Sequence, residues 1–190
     1  MTVESSGPGG DPTPALTPER FARAFATVEQ VIEHRWGIPV VVGDVPNPFT
    51  GDLDGAEIRI DFDLDAEDAL FIVVHLFGHT VQWNTAPEAR AIAVHPGPWD
   101  AEHLARLREY ETTACRYSLR LFHDAGIHDL DQWLSDFSAC DYAYLEHFYQ
   151  TGAKPPFRAL WRDGTPLLAP LPVPPFTPEK WQSRWNGVVI

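Results

Sequence analysis

The segment Ala69-Leu-Phe-Ile-Val-Val74-His75-Leu-Phe-Gly78-His79-Thr-Val-Gln82 decides how the rest of this chain is read. It follows an acidic run, Asp61-Phe-Asp63-Leu-Asp65-Ala-Glu67-Asp68, and acids just before a helix start complement its dipole. That run lacks the glycine and the terminal glutamate spacing of a calcium-binding EF-hand loop. A helix over about residues 66–83 is therefore predicted. On it, His75 and His79 are four apart and share one face, so their imidazoles can converge on a single ion. One such pair alone is equally well read as one imidazole capping a carbonyl and the other facing water.

The next long helix, over about 101–125 and stopping at Gly126, supplies the missing weight. Leu104, Leu107, Glu111, Ala114, Ser118 and Leu121 recur at helical spacing, which puts Glu111 in the middle of a core-facing stripe. A carboxylate there costs several kcal/mol to bury unless it is paired, hydrogen-bonded or bound to a cation. Gly78 and Ala114 are small enough to let two helices approach and share an ion. His75, His79 and Glu111 thus form a two-histidine, one-carboxylate set. Three protein ligands with an open position is the pattern of a catalytic rather than a structural metal site.

Outward from this pair of helices, Thr17-Pro18-Glu19 reads as an N-cap, a proline at the first helical position and an acid in the first turn. It opens a helix with Phe21, Phe25, Val28 and Ile32 on one face, ending near Gly37. Residues 38–42 (IPVVV) and 56–62 read as two strands, the second with Ala56, Ile58, Ile60 and Phe62 on its inner face. One or two shorter helices are expected between 131 and 149. The predicted fold class is α+β: helices on a small, mostly antiparallel sheet, with a proline-rich C-terminal wrap. Its expected parts are a disordered arm over 1–16, a metal-binding domain over 17–153, and a strap over 154–190. Phe157, Trp161, Phe176, Trp181 and Trp185 would fasten that strap to the body.

Here the residues acquire a family likeness. The motif His75-Leu-Phe-Gly-His79, followed by Glu111-Thr-Thr-Ala114-Cys-Arg-Tyr-Ser-Leu-Arg-Leu121, resembles the zincin-like core of the ImmA/IrrE-type metallopeptidases over roughly residues 18–125. The resemblance implies a metal helix, a second ligand helix and a bound zinc. In that family the first histidine is followed by the glutamate of HExxH, which takes a proton from water and passes it to the leaving amine; here that residue is Leu76. Conventional peptide hydrolysis is therefore not expected. Three readings follow. The first is a metal-dependent enzyme acting on a small molecule, with the metal as Lewis acid or oxygen-binding centre and Leu76 in an apolar pocket floor. The second is a pseudo-peptidase that binds a protein partner. The third is a residual metallohydrolase whose base has moved to Glu109 or to the later helix. The ion is expected to be zinc, and ligand type admits Fe(II) as well.

Gln82, one turn beyond His79, is placed either to orient a ligand or to satisfy backbone near the helix end. Cys115 is read as a core thiol near the site. Asp141, Tyr144 and His147 recur at helical spacing on the later helix and are candidate acids or bases, whereas Glu109 lies off the stripe. His95, His103, His123 and His128 sit in loops or beside charges and are read as solvated.

Composition bounds the partners. The net charge of −13 and the absence of any basic stripe argue against nucleic acid. The longest apolar run, residues 69–74, is far short of the ~18 residues of a spanning helix, and the first eleven residues have no signal-peptide pattern. A cytoplasmic protein with no membrane contact is expected, its two cysteines, Cys115 and Cys140, reduced.

Overall fold

The Thr17 hydroxyl accepts from the Arg20 amide at 3.2 Å and caps helix α1 (Pro18–Trp36). The computed structural model describes residues 16–93 and 95–181. The expected arm therefore falls outside the described residues except for Leu16, as does Trp185. α1 ends at Gly37 in the left-handed conformation (φ +67°) and buries Phe21, Ala24, Val28 and Ile32. Phe25 packs only partly against the same core.

Strands β1 (Val40–Gly43), β2 (Gly51–Leu53) and β3 (Ile58–Asp61) form one sheet in the order β1-β3-β2. β1 pairs with β3 in parallel, Val40 opposite Ile58, and β2 pairs with β3 antiparallel, Leu53 opposite Ile58. The sheet is thus mixed rather than mostly antiparallel. β2 arises between the two expected strands and takes the hairpin edge beside β3, so β1 is left to pair on the opposite edge. Asp54 shapes the hairpin by accepting from the amides of Ala56 and Glu57, both at 3.0 Å. Ile58 and Ile60 are fully buried, but Phe62 is 58% exposed, contrary to the alternation expected of it. The strand stops at Asp61, whose carboxylate turns the chain by accepting from the Asp63 amide, and Phe62 leaves the sheet plane.

Helix α2 (Ala66–Thr85) is capped by Asp65, which accepts from Glu67 and Asp68. A short helix α3 (Pro87–Ala93), absent from the sequence reading, leads to α4 (Ala101–Asp124), capped by Asp100. The one or two shorter helices expected over 131–149 are a single, longer helix α5 (Asp131–Thr151). α2 is the central element: it packs on α1, on the sheet and, most intimately, on α4. A Cβ on Gly78 would lie 2.2 Å from the Ala114 carbonyl oxygen, so only glycine admits this approach. Ser118 fastens the same crossing, donating from its hydroxyl to the Val74 carbonyl at 2.7 Å.

Beyond α5, a single 3-10 turn (Phe157–Leu160) precedes an extended segment. Phe157, Trp161, Leu168, Val173 and Phe176 pack partly against the main core. Asp136 of α5 accepts from the amides of Gly164 and Thr165 and from the Thr165 hydroxyl, and the Leu171 amide donates to the Arg116 carbonyl of α4. Trp181 is 39% exposed and donates its amide to the Asp54 carbonyl. Among the described residues no helix is long and apolar enough to cross a membrane.

Candidate metal centre

The close α2–α4 crossing sets three side chains against one another. His75 Nε2 lies 2.8 Å from His79 Nε2, and Glu111 Oε2 lies 3.3 Å from the first and 3.1 Å from the second. All three residues are buried, and they form a group able to hold a metal ion. Around a tetrahedral zinc with bonds of ~2.0–2.1 Å, ligand atoms stand roughly 3.3 Å apart. The triad has that spacing, drawn in slightly.

The surrounding hydrogen bonds fix which atoms point inward. Gln82 Nε2 donates to the Tyr110 carbonyl at 2.8 Å, which settles the amide's orientation and turns Oε1 toward His79 Nδ1 at 2.9 Å. His79 must therefore carry a proton on Nδ1, and in its neutral form it presents a bare Nε2 lone pair to the centre. Glu111 presents a second acceptor. His75 Nδ1 faces Cys115 Sγ at 3.5 Å, leaving its Nε2 as the third inward atom. His75 Nε2, His79 Nε2 and Glu111 Oε2 thus face one point.

The acid–base balance follows the same geometry. Burial would raise the Glu111 carboxyl, but His79 and His75 beside it hold it down at about 2. Burial would lower His75, yet its contacts with Cys115 and Glu111 raise it well above the ordinary imidazole value. Burial lowers His79, with His75 acting in the same direction and Glu111 opposing. Two imidazoles and a carboxylate held low thus face one point.

Aromatic rings support both imidazoles. Phe71 stacks on His75 at 5.1 Å and Tyr110 on His79 at 4.4 Å. The Tyr110 hydroxyl accepts from Trp83 Nε1 at 2.9 Å, and burial pushes its phenol well above the usual range. Tyr110 was not read from the sequence as part of the site. Its one signal is adjacency to Glu111, which puts its backbone carbonyl on the face toward α2.

On the other side of Phe71 lies a pocket of about 290 Å³, walled by Phe71, Ile72, Phe137, Asp141, Tyr144 and Phe157 among others. Phe157, Pro155 and Arg158 come from the segment after α5, so that segment forms one wall. Leu76 is not part of the lining; it packs against Gly51 of β2, where a Cβ would meet its Cδ1 at 2.9 Å. The sheet edge takes up the side chain that was expected in the pocket floor.

The remaining candidates separate clearly. Asp141 is 1% exposed, its Oδ1 has no hydrogen-bond partner among the described residues, and it lines the pocket. Burial raises its carboxyl to about 7, with His75 opposing and Glu111 adding to the rise. Tyr144 is buried in the same wall. His147 is half-buried, and its carbonyl accepts from Thr151. Glu109 is exposed and accepts from the Thr113 hydroxyl, on a face away from the triad. His103, partly buried, sits against Asp100 and stacks on His95, while His123 pairs with Asp131 at 2.9 Å.

Comparison with protein-family models, with curated proteins and with solved structures gave no match. The likeness to the ImmA/IrrE peptidases is therefore one of ligand spacing on two helices.

Proposed function

We propose that this chain is a metal-dependent enzyme acting on a small molecule, with His75, His79 and Glu111 holding one divalent ion, zinc before Fe(II). The observation that carries the reading is the convergence of His75 Nε2, His79 Nε2 and Glu111 Oε2 within 2.8–3.3 Å, with Gln82 forcing the His79 lone pair inward. A histidine oriented by a hydrogen bond on its far nitrogen is how metal sites fix ligand tautomers. Three protein ligands leave room for a substrate atom.

Bound there, the ion supplies Lewis-acid polarisation of a substrate oxygen. The chain's own residues do the rest. Gln82 holds the Nδ1 proton of His79, and Phe71 and Tyr110 fix both rings and keep water from their faces. Leu76, engaged with β2, offers no base. Asp141, buried in the wall of the adjoining pocket, is placed to meet a polar group of the substrate. The pocket's modest volume and aromatic walls favour a small substrate over a polypeptide.

The test is turnover of a panel of small esters, amides and amidines by the zinc-loaded protein. Activity removed by a chelator, restored by zinc and absent in Glu111→Ala is expected. One equivalent of tightly held zinc with no turnover on any compound would replace this reading with that of a binding module, which the loss of the base at Leu76 also suits.

A further inference from the structure

The pocket beside the centre has an unusual balance of groups. Its walls are apolar and mostly aromatic, formed by Phe71, Ile72, Phe137 and Phe157. The one cation among its described lining residues, Arg158, is already engaged: its Nη2 lies 2.9 Å from Glu67 Oε2 and 3.8 Å from Asp68 Oδ1, and the guanidinium rests over the Phe137 and Trp161 rings. Asp68, at the rim, shares that guanidinium. What remains without a partner among the described residues is Asp141 Oδ1, on a side chain 1% exposed. Leaving a buried carboxyl oxygen unpaired costs free energy that a ligand donor would recover.

We propose that this pocket binds a small arylalkyl primary amine, its ammonium donating to the Asp141 carboxylate and its ring lying between Phe71, Phe137 and Phe157. An anionic ligand would meet two carboxylates and an Arg158 whose charge is already matched. A neutral ligand would fill the apolar walls but bring no charge to the Asp141 carboxylate. At about 290 Å³ the space is at the lower end for ligand pockets, which limits the ligand to one ring with a short chain. The assignment names the part of the substrate this pocket would hold in the metal-dependent reading, an arylalkyl ammonium, and rests on that reading only for what happens after binding.

Calorimetry with three matched probes, phenethylamine, 2-phenylethanol and phenylacetate, tests it on zinc-loaded and on chelated protein. Phenethylamine should bind 1:1 at least about tenfold more tightly than 2-phenylethanol, with phenylacetate weakest, in both forms. Asp141→Asn should abolish that preference while 2-phenylethanol binding stays. On the wild type, amide shifts should map to residues 71, 141 and 157, a readout independent of the variant. Equal binding of amine and alcohol, tightest binding of phenylacetate, or no binding of any probe overturns the inference. Amine binding lost on chelation but kept in Asp141→Asn also overturns it, because the amine would then sit on the metal, and the metal reading would stand. Amine binding that depends on Asp141 in a protein that takes up no zinc would instead leave the pocket standing and the metal reading refuted.

Discussion

Replacing Gly78 with alanine tests whether the α2–α4 contact is what builds the centre. The new Cβ would meet the Ala114 carbonyl oxygen at 2.2 Å, its carbon at 2.7 Å and its Cα at 2.9 Å. Ordinary contact begins at 3.4 Å, and backbone atoms cannot rotate aside, so the helices must part by about 1 Å. Overpacking of this kind costs ~3 kcal/mol, and the better helix propensity of alanine returns ~1, leaving a loss of roughly 2 kcal/mol. For a chain of this length that lowers the melting temperature by roughly 4–8 °C. The same displacement separates His79, the next residue on α2, from Glu111 on α4, now 3.1 Å apart. Sites tolerate about 0.5 Å of such error, so zinc affinity should fall at least about tenfold. The assays are thermal denaturation of the zinc-free protein and zinc titration against a chromophoric chelator. Gly126→Ala serves as control: its φ is +73° with nothing within 4 Å, so it should cost ~1 kcal/mol of strain and leave zinc binding intact. A Gly78→Ala protein that melts within 1 °C of wild type, or that binds zinc as well, would refute the reasoning.

Three further outcomes follow from the same geometry. The Asp141 carboxyl is raised from 3.8 to about 7, so the folded state holds its proton where the unfolded state has released it, and stability falls as pH rises from about 4 to 7. Asp141→Asn should therefore raise the denaturation free energy of zinc-free protein at pH 8, by up to roughly 4 kcal/mol, with little gain at pH 4, as urea titrations at the two pH values would show. Gln82→Ala should weaken zinc binding about 10–100-fold, because His79 loses the acceptor that fixes its Nδ1 proton; an unchanged dissociation constant would sink that role. Asp136→Ala removes the acceptor shared by Gly164, Thr165 and Gln132, and should speed limited proteolysis within 154–181 while α1–α5 stay intact by circular dichroism.

The sequence was legible where local chemistry and packing agree. Thr17-Pro18-Glu19 marks the start of α1 because the cap is made by adjacent residues. His75 and His79 share a face by helical period, and Glu111 stands out because its stripe is otherwise core-facing; Gly78 and Ala114 meet as their size suggested. Where nonlocal contacts decide, the reading fell short. β2 is three residues, Gly-Asp-Leu, with no periodicity to show, and only its pairing with β3 makes it a strand. That same pairing puts β1 on the far edge in parallel register. Leu76 faces the sheet because β2 is there to receive it. Asp141 carries no local sign of its isolation, since what makes it unusual is the wall that Phe157 and Phe71 build around it from distant parts of the chain.

The central claim, that His75, His79 and Glu111 hold a divalent ion, is tested most directly by elemental mass spectrometry on protein purified without added metal or a nickel column. Wild type should carry close to one equivalent of a single metal, and His75→Ala, His79→Ala and Glu111→Ala should each lose it while remaining folded. A metal-free wild type whose melting temperature does not rise with zinc, or variants that keep the metal, would contradict the account.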